Sequence, residues 1–145
     1  MSKIVISAAL VPAVLALAAC GGKQPEAEAP AEEPAVDVAF ADLTGDAAAG
    51  ETVFAQCRAC HLVEEGKNGV GPSLYGIIGR AAGSIEGFNY SEANASIGLT
   101  WTPEIMYEYL ESPREYMAGT RMAFPGLKDP QDRADVIAYL DATDD

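Results

Sequence analysis

Cys57-Arg58-Ala59-Cys60-His61 is the stretch on which the reading of this 145-residue chain turns. It holds two of the three cysteines and the only histidine. C-x-x-C-H is the attachment signal for c-type haem. On a helical turn, two cysteines three apart reach the two vinyl groups of the macrocycle, and the next residue brings an imidazole to the iron. A structural zinc site would need four ligands, usually Cys and His, and the one cysteine left, Cys20, lies far upstream. A thioredoxin-like pair needs a βαβ setting, and no run of alternating β-branched residues supplies one. A plain disulfide between Cys57 and Cys60 in an oxidising compartment is the remaining alternative.

Outward from this motif, the chain from Thr44 onward reads as all-helical. Asp46 is placed to cap a helix running to about Cys60, with Val53, Phe54 and Cys57 on one face. Thr102-Pro103, Ser112-Pro113 and Asp129-Pro130 each pair a capping residue with proline at the first helical position, where its missing N–H costs nothing. The helix from Thr102 is expected to bury Ile105, Met106, Tyr109 and Leu110, and the last helix Val136, Ile137 and Leu140. Residues 62–101 hold eight glycines and read as irregular. A loop that long in a small domain wraps something, and a bound macrocycle would complete an otherwise thin core.

The first 41 residues read differently. Lys3 is followed by an apolar run from Ile4 to Ala19, shorter than the roughly 20 apolar residues of a membrane span. We assign 1–19 as a signal segment. Its end, Leu17-Ala18-Ala19-Cys20-Gly21, resembles a bacterial lipobox, which implies cleavage before Cys20 and a lipid on its sulfur. Cleavage after Ala16-Leu17-Ala18, releasing a soluble periplasmic protein, and an uncleaved N-terminal anchor are the alternatives. All three export the domain, and bacteria attach c-type haem outside the cytoplasm. Residues 20–41 are rich in Pro, Ala and Glu and read as a disordered, lipid-anchored linker. Extended, about 20 residues at ~3.1 Å each would reach on the order of 60 Å. Residues 42–145 form the folded domain.

The second face of the iron needs its own ligand. With His61 used, Met106, Met117 and Met122 remain as candidates besides lysine or an open position. Met106 falls on an apolar helix face and Met117 at the end of a short turn. Met122 lies in a loop bounded by Gly119 and Gly126, free of helical constraint.

The order of several motifs resembles the class I c-type cytochromes, specifically mitochondrial cytochrome c and its membrane-anchored bacterial relatives. They are G-x-x-x-F-x-x-C-x-x-C-H from Gly50, Gly71-Pro72-Ser73-Leu74-Tyr75-Gly76, Gly79-Arg80 and Gly87-Phe88-Asn89-Tyr90 with Asn94. Gly98-Leu99-Thr100-Trp101, Gly119-Thr120-Arg121-Met122 and Ile137-Ala138-Tyr139-Leu140 follow. The resemblance implies a monohaem class I cytochrome c fold, its helices packed around one covalently attached haem c. It implies Met122 as the second axial ligand and a hydrogen bond from His61 to the Pro72 carbonyl. Arg80, Tyr90 and Trp101 would hold the propionates, and Asn94, Tyr109 and Thr120 a polar network at the methionine sulfur.

The formal net charge of −13 excludes nucleic acid as a natural partner. Mitochondrial members carry lysines around the haem edge. Here residues 42–145 hold 17 acidic and seven basic residues, a net of −10. Arg58 lies within the haem motif and Lys67 just after it, and Arg114, Arg121 and Lys128 lie near the methionine loop with Glu115 and Asp129 among them. A dipolar molecule is expected, the alternative being a uniformly acidic surface that meets a basic partner. The function expected is that of a monomeric, membrane-tethered electron carrier with no substrate of its own. It would move electrons from a quinol-oxidising complex to a terminal oxidase or reductase. The alternative is a gas-binding or peroxidase-like haem protein, if Met122 does not ligate the iron.

Overall fold

In the computed structural model, which describes residues 39–144, three α-helices start at side-chain caps legible in the sequence. The signal segment, Cys20 and nearly all of the linker lie outside the described residues. The elements run as a 3-10 turn Phe40–Asp42, α1 Ala47–Phe54, α2 Glu92–Ser96, α3 Pro103–Glu111, α4 Pro113–Tyr116 and α5 Pro130–Asp141. No strand forms among the described residues; Ala81 and Thr100 make one isolated antiparallel bridge. No helix among them is long and apolar enough to cross a membrane.

Asp46 caps α1 by accepting from the amides of Ala48 and Ala49. The Thr102 hydroxyl caps α3 at Ile105 N–H, and the Asp129 carboxylate caps α5 at Gln131 and Asp132. Ser112 precedes α4 without a side-chain cap bond. The remaining helix, α2, lies in the stretch read as irregular. Ser91 starts it, its hydroxyl accepting from Asn94 N–H at 3.2 Å. At five residues it is too short to carry the apolar periodicity that marks a helix in sequence.

Two further expectations are corrected. The first helix ends at Phe54 rather than near Cys60, because the next amides reach back only three residues. Ala55 bonds to Thr52, Gln56 to Val53 and Cys57 to Phe54. Such bonds tighten the last turn, and the haem motif occupies the turns that follow, where the Arg58 and His61 amides reach back four residues to Phe54 and Cys57. On α3, Ile105 is only half-buried while Tyr107 joins Met106, Tyr109 and Leu110 in the core. Tyr107 is held by the Phe40 ring at 5.2 Å and by the Arg133 guanidinium at 4.3 Å.

The frame is a crossing of α1 on α5. Phe54, 1 % exposed, packs its ring against Tyr139 at 5.2 Å. Gly50 makes the crossing possible, since a Cβ there would collide with the Asp135 carbonyl and the Tyr139 side chain. The buried carboxylate of Asp135 accepts from Asp46 N–H at 2.8 Å and from the Gln131 amide at 2.7 Å, which locks the entrance of α1 to α5. Val136, Ile137 and Leu140 of α5 are all buried as the periodicity predicts.

Candidate functional site: a haem cavity

The tight coil after α1 fixes the motif by local bonds. His61 N–H donates to the Cys57 carbonyl at 2.9 Å, and Cys60 N–H to the same carbonyl at 3.0 Å. Cys57 is half-buried, Cys60 is exposed, and neither is in a disulfide. Burial pushes the Cys57 thiol up, and the neighbouring Cys60 adds to the rise.

The following loop folds back onto the motif. Gly71 N–H reaches the Cys60 carbonyl at 2.9 Å, and Leu74 N–H the Leu62 carbonyl at 2.8 Å. This return places the Pro72 carbonyl 2.8 Å from His61 Nδ1. A carbonyl can only accept, so Nδ1 carries the proton and Nε2 keeps its lone pair. Burial pulls the imidazole pKa down and so favours the neutral ring, while the hydrogen bond to the Pro72 carbonyl pulls it up. Gly71 lies directly against that ring: a Cβ there would sit 2.6 Å from Nδ1.

His61 faces a cavity of about 550 Å³, within the ~300–1,000 Å³ range of ligand sites. Its walls bring together Cys57, Cys60, His61, Pro72, Arg80 and Tyr90 with Asn94, Trp101, Tyr109, Thr120 and Met122. Every site residue proposed from the sequence within residues 39–144 thus lies on one cavity. Arg80 and Trp101 are joined through the main chain, with Trp101 N–H donating to the Arg80 carbonyl at 2.9 Å and Gly79 N–H to the Trp101 carbonyl at 2.7 Å. The Arg80 guanidinium donates at 2.7 Å to the carbonyls of both Ser73 and Tyr75. Burial lowers its pKa, with Tyr90 opposing. On the methionine wall, the Tyr109 hydroxyl donates to the Met122 sulfur at 3.7 Å, and Met122 N–H to the Thr120 hydroxyl at 3.2 Å. Met106 and Met117, the other candidates, are core residues at 5 % and 2 % exposure.

The cytochrome c family model matches residues 47–144. The chain belongs to the cytochrome c family. It is 49 % identical over 98 residues to cytochrome c2 of Rhodopila globiformis, covering 67 % of this chain and 92 % of that one. Cytochrome c of Arabidopsis thaliana is 44 % identical over 108 residues, 73 % of this chain and 96 % of its own. The structure of cytochrome cH from Methylobacterium extorquens superposes with a TM-score of 0.63 at 47 % identity, over 66 % of this chain and 97 % of that one. The all-α, monohaem class I fold expected from the sequence is therefore the fold found. Members of this family bind one covalently attached haem c, and Cys57 and Cys60 fit its C-x-x-C-H motif.

The residues present fit that group. Two unjoined thiols and an imidazole with a free Nε2 stand on the same cavity as a thioether.

Tyr109 carries a prediction. Burial pushes its phenol up to about 12, with the hydrogen bond to Thr120 opposing. An unfolded tyrosine ionises near pH ~10. Between there and about 12 the unfolded chain sheds a proton that the folded one keeps, so stability falls as pH rises. The contribution is intact below pH ~10, and its loss amounts to about 2–3 kcal/mol. Urea unfolding of Tyr109→Phe across that window should show a correspondingly flatter profile than the parent; identical profiles would rule the effect out.

Proposed function

We propose that this cytochrome is a membrane-tethered electron carrier. It receives single electrons from a quinol-oxidising complex and delivers them to a terminal oxidase or reductase. Cys57 and Cys60 would form the two thioether links, and His61 and Met122 would ligate the iron. Bound haem c supplies a reversible one-electron ferric/ferrous couple. The observation that carries the reading is the Tyr109 hydroxyl aimed at the Met122 sulfur in the cavity that His61 also lines. A thioether and an imidazole together close the iron to external ligands and raise its potential.

The chain's own groups have distinct parts. The Pro72 carbonyl orients the imidazole and raises its basicity. Arg80, Tyr90 and Trp101 line the region proposed for the propionates, where buried carboxylates need donors. In the geometry described, two guanidinium donors of Arg80 go to main-chain carbonyls. Its role there would be a fixed positive charge, with its remaining N–H groups or Tyr90 and Trp101 supplying the contacts. Asn94 Oδ1, Tyr109 and Thr120 would form the polar set beside the sulfur. Export of the domain, removal of residues 1–19 and lipidation of Cys20 place it in the periplasm on a leash of about 20 residues. Such a leash keeps its concentration near membrane partners high.

Side-chain pairing refines the charge pattern. Arg58 lies 3.7 Å from Glu51, and Lys67 pairs with Glu64. On the methionine side, Arg121 donates to Asn89 and Lys128 to the Glu111 carbonyl at 2.9 Å. Exposed Arg114 forms no ion pair among the described residues. Arg114, Arg121 and Lys128, near Met122 in sequence, thus form no ion pair among the described residues, with the acidic Glu115 and Asp129 beside them. Reversing Arg114, Arg121 and Lys128 to Glu should slow electron transfer to the native partner about tenfold at low ionic strength. The difference should vanish near 1 M salt, where screening acts within ~3 Å. Arg58→Glu should do much less. Equal effects from both sides would refute a one-sided patch.

The reading itself is tested by the visible spectrum of the dithionite-reduced holoprotein with and without carbon monoxide. An unchanged spectrum, with a reversible one-electron titration, is expected. A shifted spectrum would mean an open position and move the assignment to a gas-binding or peroxidase-like protein.

A further inference from the structure

Arg133 is a buried cation outside the cavity wall, 4 % exposed. Its Nη1 donates to the Leu127 carbonyl at 2.8 Å and the Lys128 carbonyl at 3.2 Å. The guanidinium rests 4.3 Å from the centre of the Tyr107 ring. Its carboxylate partner, Glu111, is 3.8 Å away and half in solvent. Nε is buried with no hydrogen-bond partner among the described residues. A buried charge is unfavourable unless it is well partnered, and here its best partners are two carbonyls at one end of one loop.

That loop carries Met122. It begins after Met117, which is 2 % exposed, and ends at Leu127, 5 % exposed. Between these anchors Ala118, Gly119, Arg121, Ala123 and Pro125 are exposed, and no helix dictates where the thioether reaches. Apolar packing holds the first end. The second end is held by Leu127 N–H on the Leu110 carbonyl at 2.8 Å and by Arg133. We propose that Arg133 is a positioning residue that pins the end of the methionine loop and so keeps Met122 at the iron. The proposal rests on Met122 being the ligand. It assigns the role to the guanidinium because Nη1 reaches both carbonyls while Cζ lies over Tyr107, and the single point charge of a lysine ammonium cannot occupy both places at once.

The test uses the full-length holoprotein as Arg133→Lys and Arg133→Met, with Met122→Ala alongside. Carbon monoxide binding to the ferrous protein is read with the far-UV helix signal on the same samples. Apparent affinity scales with the fraction of molecules whose loop is open, so Arg133→Lys should bind carbon monoxide at least ~10-fold more tightly than the parent while its helix signal is unchanged. Arg133→Lys keeps the buried charge and remains informative where Arg133→Met fails to fold. Refusal of carbon monoxide by Arg133→Lys while Met122→Ala takes it up overturns the positioning role and leaves the ligand assignment standing. Uptake that appears only as the helix signal is lost makes Arg133 a general prop, and also overturns it. Refusal by Met122→Ala removes the ligand assignment and this proposal together.

Discussion

Met122→Ala is expected to convert a haem protein inert to carbon monoxide into one that binds it, with a lower reduction potential. The thioether that Tyr109 meets at 3.7 Å would be gone, and Met106, which also lines the cavity, is held on α3. Met106 and Met117 are enclosed in the core at 5 % and 2 % exposure. The only histidine is His61, already turned by the Pro72 carbonyl. A soft sulfur ligand favours the reduced iron. Its loss should lower the midpoint potential by on the order of 0.1–0.2 V, within the ~0.8 V that axial ligands span. Potentiometric titration with visible spectroscopy measures both changes. A variant with the parent's potential and no response to carbon monoxide would show that another group holds the sixth position.

Gly50→Ala should be the most damaging single methyl in the frame. At the α1–α5 crossing the new Cβ would overlap the Asp135 carbonyl and press on Tyr139, so the two helices must part. Asp135 cannot yield freely, because its carboxylate holds the Asp46 amide and the Gln131 side chain. Overpacking of this kind costs about 2–3 kcal/mol, roughly 10–20 °C in Tm for a domain of this size. Gly66 supplies the comparison: a Cβ there meets nothing, but its φ of 68° is strained for other residues. Gly66→Ala should therefore lose only about 1–2 kcal/mol. Thermal unfolding of the holoproteins followed by circular dichroism ranks them, and a Gly50→Ala midpoint at or above that of Gly66→Ala would sink the steric argument.

The local features of this cytochrome are legible in its residues alone. The cysteines and histidine of 57–61 lie on consecutive turns of one coil, so their spacing alone states their chemistry. Asp46, Thr102 and Asp129 cap helices through bonds to amides two or three residues on, which makes those starts readable without a fold. The cavity residues from Pro72 to Thr120 were legible only by resemblance, since nothing local in Arg80 or Tyr109 points to a shared site. Tertiary structure decided what depends on distant carbonyls. Residues 71–74 return to 60–62 and set the His61 tautomer, while Arg80 meets Trp101 across the loop. Arg133 is in sequence one of the seven basic residues of 42–145, with nothing local to mark it out. Only the fold buries it under Tyr107 and against Leu127 and Lys128, because a guanidinium goes inside where carbonyls freed at a loop end need a donor. Net charge was likewise plain from composition. Which cations stay uncompensated was settled by the approach of Glu51 to Arg58 and of Glu64 to Lys67, a matter of which side chains the fold sets within reach of one another.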